Sequence, residues 1–247
     1  MNSVTILGVR VDDVTFDEAI EWVAARIAAR TPSQIATVNV EFIMAARENA
    51  AFRDVLNAAA LNVPDSAGVT WAARRLGHPL RDRIAGVDLV ERIAQRAGRS
   101  GWRPYFLGAG ESVAQKAADV LRSRYPGLQV AGTFSGSPRE EEDGALVERI
   151  RAAAPDVLFV AFGAPAQDLW IARNLRRLGV PVCLGVGGAF DYVAGVTTRA
   201  PSWMRRVGLE WLHRVIRQPW RWRRMLALPR FAWAVTANRS ASPGRRS

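Results

Sequence analysis

Residues 157–191 read VLFVAFGAPAQDLWIARNLRRLGVPVCLGVGGAFD. Val157 to Gly163 is an unbroken apolar run, rich in β-branched and aromatic residues and preceded by Pro155. Such a run is expected of a strand covered on both faces in a parallel sheet. In the segment that follows, Ile171, Ala172, Leu175 and Leu178 recur at helical spacing, and Gly179 supplies a C-terminal cap. Val180 to Val186 is a second apolar strand. The unit is β-α-β. Its strand ends carry two loops, Gly163-Ala164-Pro165-Ala166-Gln167 and Gly187-Gly188-Ala189-Phe190-Asp191. In open α/β sheets, ligands bind just beyond the carboxyl ends of the strands. Glycines in either loop also suit a tight turn with no ligand, but two such loops on successive strands point to a site.

The same alternation extends outward along the chain. Val4 to Leu7, Gln34 to Val38, Leu61 to Val63, Arg103 to Leu107 and Leu128 to Gly132 read as further strands. The first helix opens on the capping box Thr15-Phe16-Asp17-Glu18 and shows an apolar face of Ala19, Ile20, Val23 and Ile27. Asn39-Val40-Glu41 leads into another helix, and a third follows Asp65-Ser66-Ala67-Gly68 as far as Gly77. Helices are also expected from Arg83–Asp88 to Ala97, from Ser112 to Tyr125, and from Pro138 to Ala153, the last with an acidic first turn that suits its dipole. This spacing predicts an α/β fold with a doubly wound, mostly parallel sheet. There is no internal repeat.

At 247 residues, one large domain or a domain with an appendage is expected. Its single cysteine, Cys183, lies in an apolar strand, which excludes a disulfide framework and a cysteine metal cluster and suits a core residue in a reducing cytosol. No basic-then-apolar leader opens the sequence, and no run approaches the ~18 apolar residues of a spanning helix. A soluble or peripheral protein is expected. The net charge of +11 and a pI near 11.3 imply an anionic partner: nucleic acid, a phospholipid surface or a phosphorylated substrate. The charge is concentrated. Nine arginines face one acid, Glu210, between Arg199 and Arg230, interleaved with Trp203, Trp211, Trp220 and Trp222.

Several residues could carry chemistry. Gly108-Ala109-Gly110-Glu111-Ser112 lies where a pyrophosphate would meet a helix start, although Val113 stands where a dinucleotide fingerprint needs its third glycine. Asp65 follows Pro64 at a strand end, as either a helix N-cap or a general base. Thr37 and Asn39 end another strand and could add neutral hydrogen-bonding groups. No Asp-x-Asp pair occurs, and His78 and His213 form no ligand cluster, so neither a metal nor a cofactor is expected. No Walker sequence or serine nucleophile elbow is present. Arg214, Arg217, Arg221 and Arg224 are spaced three, four and three, which puts them on one face of a continuous helix, although Pro219 should kink it or start a new one. Such a face is either simply solvated or, given the tryptophans, seated at a membrane interface.

Together, the motifs Thr37-Val38-Asn39, Pro64-Asp65-Ser66-Ala67-Gly68, Arg83-Ile84-Ala85-Gly86-Val87-Asp88 and Gly108-Ala109-Gly110-Glu111 resemble the WecG/TagA/CpsF family of bacterial glycosyltransferases. Gly163-Ala164-Pro165-Ala166-Gln167-Asp168-Leu169-Trp170, Gly187-Gly188-Ala189-Phe190-Asp191, Arg199-Ala200-Pro201 and Gly208-Leu209-Glu210-Trp211-Leu212 extend the resemblance over roughly residues 3–235. It implies a Rossmann-like core over residues 1–200 and a helical appendage over 201–239, while the composition of the last residues (ASPGRRS) reads as a disordered tail over 240–247. The implied activity is inverting hexose transfer from a UDP-sugar to a polyprenyl-diphosphate-linked sugar, on the cytoplasmic face of the plasma membrane. Asp65 would be the base, assisted by Thr37. Asn39, Arg83 and Gln167 would lie in the pocket with Gly108, Gly110, Gly163, Gly187, Gly188 and Asp191. Arg214, Arg221 and Arg224 would engage the lipid diphosphate and an anionic membrane surface. Asp168 and Ala166 depart from the glutamate and lysine frequent at these positions.

Two other classes compete. A nicotinamide-dependent oxidoreductase lacks its third fingerprint glycine here. A nucleic-acid-binding protein would account for the charge, but no recognised nucleic-acid motif is present, so nucleic acid is not an expected partner. The sequence leaves open the donor sugar (N-acetylmannosamine, its uronic acid or glucose), the polymer and any oligomer.

Overall fold

The computed structural model describes residues 1–201, 203–204, 210–217 and 226–240. Arg221, Arg224, Trp220, Trp222, Pro219 and the 241–247 tail lie outside the described residues, as do the side chains of Arg214 and Arg217. In chain order, the first half comprises β1 (Ser3–Ile6), β2 (Val9–Asp12), α1 (Phe16–Ala29), β3 (Ser33–Val38), α2 (Val40–Glu48), α3 (Ala50–Ala58), β4 (Leu61–Pro64), α4 (Ala67–Arg75) and α5 (Gly86–Ser100). Then follow β5 (Pro104–Gly108), α6 (Val113–Arg124), β6 (Gly132–Phe134), α7 (Asp143–Ala153), β7 (Val157–Ala161), α8 (Ala166–Leu178), β8 (Val182–Gly185) and α9 (Ala189–Val193). The helices Glu210–Arg217 and Ala227–Ser240 follow.

Six strands form one sheet in the order β4-β3-β8-β7-β5-β6, and every neighbouring pair is parallel. β3 connects towards one edge and β5 towards the other, with β7 and β8 filling the middle. The strand ends near the centre therefore open outward at a point where the winding reverses, which is where α/β sheets take ligands. In β7, Val157 and Phe159 pack with α1, α5 and α6, whereas Leu158 and Val160 pack with α7 and α8. All five residues of the strand are buried. That is the physical content of its unbroken apolar run: both faces are covered, and each large side chain contributes roughly 1.5–3 kcal/mol by leaving water.

Two sequence expectations are corrected, and the strand expected at Val4–Leu7 gains a partner: it runs over Ser3–Ile6, and Leu7 and Gly8, with φ of 48° and 88°, form a two-residue turn into β2, with which it pairs antiparallel. The strand expected at Leu128–Gly132 lies instead at Gly132–Phe134. Gly127 approaches the backbone of Gly98, where a Cβ would come within 2.4 Å of the Gly98 carbonyl oxygen, so the preceding residues pack on α5. Pairing begins only after the Ala131 N–H donates to Pro104 O. The helix expected from Pro138 starts at Asp143, after a 3₁₀ turn at Glu140–Glu142; the Glu142 carboxylate accepts from both the N–H and the hydroxyl of Ser137.

The helix Ala227–Ser240 shares its inner face with the core. Phe231 and Val235 are buried among residues of α2 and α4, the Phe231 ring lies 6.5 Å from that of Trp71, and Arg230 pairs with Glu48 at 3.1 Å. Among the described residues, no helix is long and apolar enough to cross a membrane.

Candidate active site

A cavity of about 440 Å³ opens at the carboxyl ends of the central strands. Thr37 stands near the end of β3, Asn39 follows it, Asp65 follows β4, Gly163 follows β7 and Gly187 follows β8, and all of them line it. Gly188, Arg83, Gln167 and Asp191 line it too. Gly108 and Gly110 do not; Ala109 between them does. At Gly108 (φ +97°), a Cβ would meet the backbone of Ala161 at 2.8 Å, so this glycine lets β5 and β7 approach closely.

Asp65 is fixed from both sides. Its N–H donates to Val38 O at 2.8 Å, continuing the β3–β4 ladder, and the Ile84 N–H donates to Pro64 O at 2.8 Å. The second bond lays the Arg83–Gly86 segment against the strand end. Of the two readings of Asp65, the helix cap falls to its neighbour: Ser66 is the N-cap of α4 and accepts from the Val69 N–H. Gly86 then brings the start of α5 between the two proposed catalytic side chains. A Cβ there would lie 3.5 Å from Asp65 Oδ2 and 3.5 Å from Thr37 Oγ1. The Thr37 hydroxyl, itself buried, donates to Gly185 O at 3.1 Å and so ties β3 to β8. Asn39 caps α2, its Oδ1 accepting from the Phe42 N–H at 3.0 Å. That leaves the amide NH₂ of Asn39 to serve a ligand.

The two glycine loops meet on one side chain. Gln167 Oε1 accepts from the Gly163 N–H at 3.2 Å and from the Gly187 N–H at 2.9 Å. Its amide packs against Gly185, where a Cβ would lie 2.4 Å from Nε2. Gly185→Ala should therefore push Gln167 off both loops. Overpacking of this kind costs about 1–3 kcal/mol, or about 2–12 °C in a chain of this size. Thermal unfolding checks the change, and turnover per folded molecule should fall as well.

Beside it, Asp168 is wholly buried, and neither carboxylate oxygen has a hydrogen-bond partner among the described residues. Burial pushes its pKa up to about 7, against the opposing pull of the nearby Gln167 and Gln34 amides.

Arg83 brings a cation to a cavity that the carboxylates Glu41, Asp65 and Asp191 also line. Among the described residues, no group of three or more His, Cys, Asp or Glu is arranged to hold a metal. The wall also includes residues the sequence did not single out for a pocket: Glu41, Phe42, Tyr192, Ala227 and Leu228. Glu41 and Phe42 were within reach of a local reading, since they follow Asn39 in the first turn of a helix that starts at a strand end. Ala227 and Leu228 carried no such signal; they reach the cavity only because their helix folds back on α2 and α4. Trp211, noted in the sequence for its place in the basic segment, is a wall residue as well.

Comparison with known proteins gives this pocket a context. The sequence model of the glycosyl transferase WecG/TagA/CpsF family matches residues 4–245. The chain is 35% identical over 208 residues to the N-acetylglucosaminyldiphosphoundecaprenol N-acetyl-beta-D-mannosaminyltransferase of Bacillus spizizenii, covering 84% of this chain and 80% of that one. It is 36% identical over 201 residues to the Bacillus subtilis protein of the same name, covering 81% and 78%. With the Staphylococcus aureus protein of that name, the identity is 31% over 234 residues, covering 94% and 91%. The family match runs through every strand end that lines the cavity, and the chain belongs to the WecG/TagA/CpsF family of glycosyl transferases.

Proposed function

We propose that this enzyme transfers N-acetylmannosamine from a UDP-linked donor to the N-acetylglucosamine of a polyprenyl-diphosphate acceptor, with inversion at the anomeric carbon. The activities for which the relatives are named support the sugar and the acceptor. The observation that carries the mechanism is the convergence of Asp65 and Thr37 on Gly86 inside the cavity. An acceptor hydroxyl oxygen attacks the anomeric carbon of the donor and its proton passes to Asp65. The bond from that carbon to the phosphate oxygen breaks, and UDP leaves with the electron pair. Thr37, anchored on Gly185 O, keeps the base beside the reacting oxygen. Asn39 can donate to a sugar or phosphate oxygen. Arg83 and peptide N–H groups at the helix starts stabilise the charge on the leaving diphosphate.

The apolar side of the mouth, where Trp211, Ala227 and Leu228 lie, suits the lipid-linked acceptor, and the Arg/Trp segment over 201–239 holds the enzyme at the inner face of the membrane. Each basic residue near an anionic leaflet contributes about 1 kcal/mol, so Arg214, Arg221 and Arg224 together would matter to that attachment. Arginine can also grip a diphosphate bidentately. No Asp-x-Asp clamp exists in the sequence, so turnover is expected to persist in EDTA. Loss of activity to chelator, restored by Mg²⁺ or Mn²⁺, would contradict that part of the reading. The reaction itself is tested by a donor screen with a short-chain polyprenyl-diphosphate-N-acetylglucosamine acceptor.

A further inference from the structure

Two residues at the ends of sequence motifs, Asp88 and Arg199, have no place in the chemistry above, yet they meet. Arg199 Nη1 and Nη2 donate to Asp88 Oδ1 and Oδ2 at 2.5 and 2.7 Å, a bidentate pair between residues 111 apart in sequence. Asp88 stands in the first turn of α5, two residues beyond Gly86, whose backbone lies against Asp65 and Thr37. Arg199 stands at the far end of the loop that leaves α9. That loop turns at Gly195 (φ +72°), is pinned by the Thr197 N–H on Asp191 O at 3.0 Å, and buries Ala200. Beyond residue 201, the next described pocket residue is Trp211, followed by Ala227 and Leu228. The pair therefore joins the floor of the pocket to the place where the chain leaves for its C-terminal wall.

We infer that Arg199, held by Asp88, is a positioning residue that sets the Trp211 side of the pocket's C-terminal wall against the Asp65–Thr37 floor. Stability is not its main contribution. The two side chains keep 21% and 39% of their surface exposed, and ion pairs with that much solvent contribute little net free energy. Direction is another matter. A planar guanidinium meeting a carboxylate through two parallel bonds fixes both distance and angle, which lysine cannot do. A wall misplaced by about 1 Å can cost on the order of 10²-fold in rate. Because the wall concerned is the apolar one, the effect falls on the lipid-linked substrate, and that part rests on the reading proposed above.

The test compares Arg199→Gln, Arg199→Lys and the charge swap Asp88→Arg/Arg199→Asp in the full chain. It uses UDP-N-acetylmannosamine and a short-chain polyprenyl-diphosphate-N-acetylglucosamine, with hydrogen exchange followed in peptides covering residues 86–88 and Trp211. Arg199→Gln should lower kcat/KM for the acceptor by about 10–100-fold, with little change in donor KM or thermal midpoint. Exchange should rise at Trp211. Lysine should recover only part of the loss, and the swap most of it. Unchanged acceptor kinetics overturns the inference, as does a loss no larger than the unfolded fraction accounts for. Unchanged exchange at Trp211 does so even if the parent enzyme proves inactive with these substrates. Parental inactivity by itself counts against the proposed reaction, and the exchange data then decide on Arg199.

Discussion

Asp65→Asn is expected to lower kcat by about 10²–10⁴-fold, the usual contribution of a positioned general base, equivalent to about 2.7–5.4 kcal/mol of transition-state stabilisation. The substitution keeps the shape of the side chain and one acceptor oxygen, but it replaces the other oxygen with an NH₂ donor and cannot take the acceptor's proton. The backbone bonds that hold residue 65, to Val38 and through Pro64 to Ile84, do not involve the side chain, so the strand end should stay in place. UDP-sugar binding should therefore survive nearly intact while turnover collapses. Donor affinity by calorimetry and kcat by product mass spectrometry separate the two. Near-parental turnover in a folded Asn variant would remove Asp65 from the mechanism.

The second large effect concerns Asp168 and stability, not rate. An aspartate has a pKa near 3.9 when unfolded, and this one sits at about 7 when folded. Below about pH 4, both states hold the proton and the group adds no pH dependence to stability. Between about pH 4 and 7, the unfolded chain releases its proton while the folded chain keeps it, so stability falls as pH rises. Above pH 7 the penalty levels off at about 4 kcal/mol, since each pH unit between the two pKa values costs about 1.36 kcal/mol. Asp168→Asn cannot ionise. Its stability relative to the parent should improve steadily from about pH 4 to pH 7, by up to that amount, and then stay level, as read by urea unfolding across the range. A difference independent of pH would show that the carboxyl is not held in its raised-pKa state.

What could be read from the sequence, and what could not, follows from how local the determining physics is. β7 and β8 were legible because burial on both faces leaves an unbroken apolar run. The loops after them were legible because a turn close to a ligand needs glycine. The cap of α4 was less so: Asp65 and Ser66 are both good caps, and only the fold assigns the role to Ser66 and leaves Asp65 on the cavity. Gly108 looked like a phosphate glycine but is required by a neighbouring strand instead, a non-local reason that no local pattern records. The same limit hid Ala227 and Leu228, which enter the pocket through the packing of Phe231 on α2 and α4. That packing also bears on any truncation of the basic segment. Cutting at residue 202 would strip Phe231 and Val235 from the core, so point substitutions at Arg214, Arg221 and Arg224 are the sounder test of attachment.

The most direct test of the proposed reaction offers the purified enzyme UDP-N-acetylmannosamine, UDP-glucose and UDP-N-acetylmannosaminuronic acid in parallel. The acceptor is a short-chain polyprenyl-diphosphate-N-acetylglucosamine, and both the lipid product and released UDP are measured. The expected outcome is addition of one N-acetylhexosamine in a β linkage, from the first donor, with one UDP released per product and with both signals lost in Asp65→Asn. Absence of any glycosylated lipid with all three donors, or undiminished transfer by the Asn variant, would contradict the proposed reaction.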